Sequence, residues 1–291
     1  MSATTAYFAS RLRHELCARN REYARIHKTE HVESYGAIPV IVYQPDGERH
    51  GNFLDETYAA ILNHPEWRKR LEKIHAQAGN SLPKTGYRWK ELDSCTSSDA
   101  LLMNVFCYPG VLTDARVLRL LGVEAGDKAQ FGFKARVPLS SGRFDRTEVD
   151  LKLGNLLIEA KLTESDFQTK DAQVVRGYRD FKRVFDTRAL PVEGGKFQGY
   201  QLIRNVLAAE ANQGSFCVLL DERRPDLREQ WYAVMRCVRA GELRVRCKVL
   251  TWQELCEALP ERMREYLGVK YGIAGPGRSP SIPFRDNELE G

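Results

Sequence analysis

The chain has 291 residues, 43% of them hydrophobic, with 44 Lys and Arg against 39 Asp and Glu for a formal net charge of +5. This is enough chain for one large decorated domain or two small ones, with a charge too mild for a nucleic-acid coat protein but compatible with a local basic patch. The apolar runs are too short to span a membrane and no secretory h-region is visible, while the seven cysteines are odd in number, widely spaced and never in a C-x-x-C pair, which excludes a disulfide framework or a zinc ribbon and points to a cytoplasmic protein.

Residues 5–31 read as a helix with Phe8, Leu12, Leu16, Tyr23 and Ile26 near one face. A short strand at 37–43, a turn at Asp46-Gly47, helical segments at 55–62 and 65–77 and a Gly/Pro/Ser linker at 79–86 follow. Next come helices at 97–107 and 113–121, a strand at 128–138, a hairpin at 146–161 and helices at 166–186 and 198–213. A strand at 215–220, a helix at 225–240, a strand at 243–250 and a helical end at 252–268 complete the pattern, and the Gly, Pro and Ser after 271 predict a disordered tail. The order predicts an α/β core at 96–270, a mixed β-sheet flanked by helices, behind a mostly helical N-terminal region at 1–95.

The hairpin carries the chemistry. If Gly154-Asn155 is a two-residue loop, Leu153 pairs with Leu156, and counting outward sets Asp150 opposite Glu159 and Glu148 opposite Lys161. One face then holds Val149, Leu151, Leu153, Leu156, Ile158 and Ala160; the other holds Glu148, Asp150, Lys152, Leu157, Glu159 and Lys161. Two carboxylates with β-carbons about 5 Å apart repel by roughly 3 kcal/mol at an effective dielectric of 20. A divalent cation with a taste for hard oxygen, Mg2+ or Mn2+, would remove that penalty.

Asp150 and Glu159-Ala160-Lys161 resemble the aspartate and E-x-K triplet of the PD-(D/E)XK nuclease superfamily. The segment 97–106, S-S-D-A-L-L-M-N-V-F, is similar to the S-S-Q-A-L-x-x-N-x-F helix of a bacterial family of restriction endonucleases in that superfamily, and 200–205, Y-Q-L-I-R-N, to its Q-L-x-R-N helix. Asp99 stands where that family has glutamine, and Val149 where the superfamily has its proline. The resemblance implies a restriction-endonuclease-like core and metal-dependent cleavage of nucleic acid, with DNA the expected partner. Asp150, Glu159 and the Ala160 carbonyl would hold the metal, with Glu148 as a further ligand, and Lys161 would orient or help deprotonate the attacking water. Ser98, Asn104, Gln201, Arg204, Asn205, Arg176 and Arg179 become candidate substrate contacts; oligomeric state is left open, a homodimer included.

Thr163 and Asp166 have capping-box spacing, which predicts a helix directly after Lys161 with Glu164 in its first turn, where an acid normally complements the helix dipole. Arg176, Arg179, Lys182 and Arg183 crowd the region that follows. Three other readings compete. A nuclease fold could serve only to bind nucleic acid, and His27-x-x-Glu30-His31 fits the H-x-x-E-H helix of a zinc peptidase. A retaining glycosidase also uses two close carboxylates, but Lys161 would keep both ionised and leave no general acid.

Overall fold

The hairpin sits inside a five-stranded mixed sheet. The computed structural model describes residues 3–34, 38–74 and 90–275. The sheet strands are β1 (Ala129–Lys134), β4 (Glu148–Leu153), β5 (Leu156–Ala160), β6 (Ser215–Leu220) and β7 (Cys247–Thr251); β2 (Val137–Pro138) and β3 (Phe144–Asp145) form a separate small hairpin between β1 and β4. The order across the sheet is β7-β6-β5-β4-β1. Strands β1, β4 and β5 are antiparallel neighbours, whereas β5, β6 and β7 run parallel and so need long crossovers.

Those crossovers carry α3 (Tyr200–Ala211) and α4 (Pro225–Met235), while α1 (Ala3–His27), α2 (Ser98–Phe106), α5 (Trp252–Ala258) and α6 (Glu261–Tyr271) complete the larger helices used below. Both faces of the sheet are covered. Leu156, Ile158, Cys217 and Leu219 pack with Leu12 and Leu16 of α1, Leu101 and Leu102 of α2 and Leu267 of α6. Leu157, Phe216, Val218 and Leu220 pack with Leu202, Ile203 and Val206 of α3 and Trp231 of α4. This is why 215–220 reads as an unbroken apolar run rather than an alternating one. The N-terminal helix is part of this core: Arg223 Nη1 donates to Glu15 Oε1 at 2.7 Å and Asn20 Nδ2 to the Lys270 carbonyl at 3.1 Å. Ile158 is fully buried, so Ile158→Ala should cost about 2 to 5 kcal/mol, read from the urea midpoint. A cost below that range would mean the site can collapse around the lost atoms. No helix among the described residues is long and apolar enough to cross a membrane.

Gly154 makes the hairpin turn with φ +55°, and a β-carbon there would sit 2.2 Å from the Asp127 carboxylate, so glycine is required twice over. The expected register holds for Leu153–Leu156, Lys152–Leu157 and Leu151–Ile158, and the ladder then ends. Glu148 pairs with Lys134 of β1 instead, and the Lys161 N–H donates to the Leu219 carbonyl of β6 at 2.8 Å. The predicted oppositions of Asp150 with Glu159 and of Glu148 with Lys161 are therefore not formed as ladder pairs. The uniform apolar face also breaks. Val149 and Phe133 join the α3 side of the core, whereas Leu151 and Phe131 lie on the α1 side. Between them stands Gly132, whose φ of +64° bends β1 at this point.

Other elements differ as well. No helix follows Lys161: residues 162–168 are irregular. The helix predicted at 166–186 is replaced by Thr169–Asp171, the short helices Ala172–Arg176 and Phe181–Val184, and a three-stranded sheet with Val192–Glu193 and Lys196–Gln198. The strand predicted at 243–250 begins with a helical turn, Gly241–Val245, in which Leu243 is buried and Val245 exposed. The linker at 79–86, the end of the helix at 65–77 and most of the tail lie outside the described residues.

Candidate active site at the open end of the hairpin

Where β4 and β5 part, their side chains take over from the backbone. Asp150 Oδ2 accepts the Ala160 N–H at 2.8 Å. A strand residue presents its N–H and C=O on the same edge, so the Ala160 carbonyl also points into this gap. Glu159, 1% exposed, accepts from Lys161 Nζ at 2.8 Å and Gln201 Nε2 at 2.7 Å on Oε1, and from Asn205 Nδ2 at 2.8 Å on Oε2. Gln201 and Asn205 are one helical turn apart on α3, which places both amides over the strand. Arg204 Nη2 donates to Asn205 Oδ1 at 2.7 Å and to the Glu148 carbonyl at 2.8 Å. Gln201, Arg204 and Asn205 therefore all reach the hairpin.

The electrostatics follow from burial. Burial, then the charges of Glu159 and Asp99, raise the Asp150 carboxyl well above the ordinary carboxylate range against the pull of Lys161 and the Ala160 N–H. Burial alone would push the Lys161 ammonium down; Glu159, Glu164 and Asp150 overcome it, and the net shift is upward. A lysine so placed stays charged at neutral pH and serves as a hydrogen-bond donor, as it does to Glu159.

The remaining candidates divide. Ser98 Oγ donates to Glu164 Oε1, and the Leu162 N–H to Glu164 Oε2 at 2.6 Å, so Glu164 braces the chain after Lys161 rather than a helix. Asn104 is buried and structural, joining Asn52, Ala100 and the Leu54 N–H. The Glu148 carboxylate is held by Arg70 at 3.0 Å and Asp99 by Arg70 at 2.8 Å and Lys73 at 3.2 Å; a β-carbon on Gly132 would lie 2.4 Å from the Arg70 guanidinium that crosses there. Arg179 pairs with Asp180 at 3.2 Å, and Arg176 lies beside the Phe197 ring. His27 ends α1, Lys28 takes φ +50° and His31 lies on a strand, so the two histidines share no helix face and the peptidase reading falls.

Nothing local in the chain marks Arg70, Lys73 or Arg224. Arg224 is fully buried; it forks onto Asp226 at 2.9 and 2.8 Å and donates to the Leu162, Glu164 and Ser165 carbonyls at 3.1, 2.7 and 3.3 Å. Trp252 Nε1 donates to the Lys161 carbonyl at 3.0 Å. These contacts fix the chain that follows Lys161 from 59 to 91 residues away in sequence.

Among the described residues no three His, Cys, Asp or Glu side chains converge as a ready ligand set. The donors that do face the gap are hard oxygens: Asp150, whose Oδ1 makes no hydrogen bond among the described residues, Glu159, and the Ala160 carbonyl. Gln201 Oε1 is buried nearby and has no hydrogen-bond partner among the described residues. One or two carboxylates with carbonyl, water and substrate oxygens suit magnesium or manganese, so the residues fit such an ion.

A family model described as restriction endonuclease associating with ARP matches residues 18–272. No curated protein and no solved structure matches the chain.

Proposed function

The chain belongs to the family of restriction endonucleases associating with ARP, and from that membership we propose that it is a metal-dependent nuclease cutting the DNA backbone at Asp150, Glu159 and Lys161. The observation that carries the reading is the crowding of Asp150 by Glu159 and Asp99, with Asp150 Oδ1 making no hydrogen bond among the described residues and a charged lysine alongside. Bound Mg2+ or Mn2+ would polarise the scissile phosphate and acidify a water. Asp150, Glu159 and the Ala160 carbonyl would hold the ion. Gln201 and Asn205 fix the Glu159 carboxylate, and the Lys161 ammonium offsets the charge that builds on the phosphate in the transition state. The cytoplasmic setting inferred from the reduced thiols is part of this proposal, as is any association with the partner in the family's description.

A second reading, a nucleic-acid-binding module without cleavage, draws on one feature: both Glu159 oxygens and Asp99 are already engaged by neighbours. Incubation with plasmid, linear DNA and RNA, with magnesium, manganese or chelator, separates the two. Metal-dependent cleavage supports the nuclease; salt-sensitive binding with no product under any metal supports the module. Lys161→Met should lower the single-turnover cleavage rate about 10²- to 10³-fold, the typical loss for one transition-state donor, with DNA binding retained. A wild-type rate would remove the lysine from the mechanism.

A further inference from the structure

Two of the four cations that the sequence places after the hairpin are answered by the protein itself: Arg179 pairs with Asp180 and Arg183 with Asp180 and Glu210, at 2.8 to 3.2 Å. Around the small β2–β3 hairpin the opposite holds. Lys134, Arg136, Arg143 and Arg146 are all exposed, and among the described residues none of them meets a carboxylate. The acids of the same stretch are engaged elsewhere, Asp145 by Thr147 and Tyr178 and Glu148 by Arg70.

This hairpin is fastened at its base and bare at its tip. The Ser140 N–H donates to the Gly177 carbonyl at 2.9 Å, the Arg179 N–H to the Pro138 carbonyl at 3.0 Å, and the Tyr178 hydroxyl to Asp145 Oδ2 at 2.5 Å. Residues 140–144 are all exposed. Phe144 keeps 42% of its surface in solvent, with the Arg136 guanidinium 4.9 Å from its ring centroid. Arg136 itself holds φ +53°, a conformation that residues other than glycine adopt mainly when the surroundings impose it. Like charges fixed together without counter-charges form a local positive field whose natural complement is a polyanion. An aromatic ring among them offers a stacking surface to a base.

We propose that the hairpin 136–146, with Lys134, grips the nucleic-acid substrate beside the cleavage point, its four unpaired cations on backbone phosphates and Phe144 stacked against a base. This rests on the nuclease reading for the substrate's identity. Phe144 precedes Asp150 by six residues, at most about 20 Å of extended chain and so within about six base-pair steps of the site along one strand.

The test is the binding of a fluorescently labelled DNA duplex in chelator, as a function of salt, by the full chain. The triple variant Arg136→Ala, Arg143→Ala, Arg146→Ala should bind at least tenfold more weakly at low salt, with the slope of log affinity against log salt shallower by about 0.9 per cation removed, about 2.7 in all. Phe144→Ala should leave the slope unchanged and raise Kd about 5- to 150-fold. Arg179→Ala with Arg183→Ala, whose cations already have partners, should change the slope little. Melting temperatures serve as the folding control, since exposed, unpaired side chains contribute little to stability. An unchanged slope in the triple variant, with wild-type cleavage, overturns the hairpin and leaves the nuclease standing. The predicted slope change with no cleavage under any metal keeps the hairpin and overturns the nuclease.

Discussion

In chelator, Asp150→Asn is expected to melt above the wild type, and in magnesium the order should reverse. Asp150 titrates above the ordinary carboxylate range because it is half-buried near Glu159 and Asp99. The folded state therefore holds a proton that the unfolded chain releases, and the group's contribution to stability is complete below the unfolded pKa and lost as pH rises through the raised one. Asparagine does not titrate and its amide oxygen can still accept the Ala160 N–H, so the variant escapes that loss while keeping the hydrogen bond. The gap between the two proteins should be small in acid and widen toward neutral pH, with each kcal/mol moving the midpoint by about 2 to 4 °C. Magnesium binds only the folded wild type under the proposed reading and should stabilise it by mass action. Cleavage by the variant should fall below detection. If both proteins gain equally from metal, the ion lies elsewhere; if Asp150→Asn is the less stable of the two in chelator at neutral pH, the like-charge crowding is not what the structure implies.

Arg224→Ala should cost about 3 to 5 kcal/mol, the usual consequence of stranding one partner of a buried ion pair. Two losses coincide at this position. Asp226 would keep its charge in the interior with its fork of donors gone, and the Leu162, Glu164 and Ser165 carbonyls would lose the guanidinium that gathers them. Because Glu164 in turn braces Ser98 and the Leu162 N–H, the path of the chain just after Lys161 should loosen, and cleavage should fall even in the fraction that remains folded. Arg224→Lys keeps the charge but not the planar fork and should fall between wild type and alanine. Replacing Arg224 and Asp226 together with apolar residues should restore only part of the stability, since it removes both buried charges but leaves the Leu162, Glu164 and Ser165 carbonyls without the guanidinium. Urea midpoints check the series. A cost under about 1 kcal/mol for Arg224→Ala would show that water reaches the pair and the interior assignment is wrong.

The core of the site was legible locally because a tight turn fixes register. Once Gly154-Asn155 closes the loop, the positions of Leu151, Leu153, Leu156 and Ile158 follow from a period of two, and the spacing of Gln201 and Asn205 on one helix face follows from a period of 3.6. The same local logic failed where a third strand or a distant side chain intervenes. Glu148 could pair with Lys161 only if β4 and β5 stayed together, but β1 claims Glu148 and β6 claims Lys161, so the ladder opens and the Asp150 carboxylate meets the Ala160 N–H in its place. The capping pattern at Thr163 was overridden because Arg224 offers the carbonyls of 162–165 better-placed donors than a helix turn would. Which cations are free to meet a substrate was legible only in part: Asp180 adjoins Arg179 and lies three residues before Arg183, but Glu210 reaches Arg183 only through folding, and only the fold shows that Arg136 and Arg143 meet no carboxylate among the described residues. Periodicity and turn chemistry act over a few residues and can be read along the chain; ion pairs and long-range hydrogen bonds act through space, over contacts such as Arg70 to Asp99 and the Trp252 indole to the Lys161 carbonyl that exist only once the chain has folded.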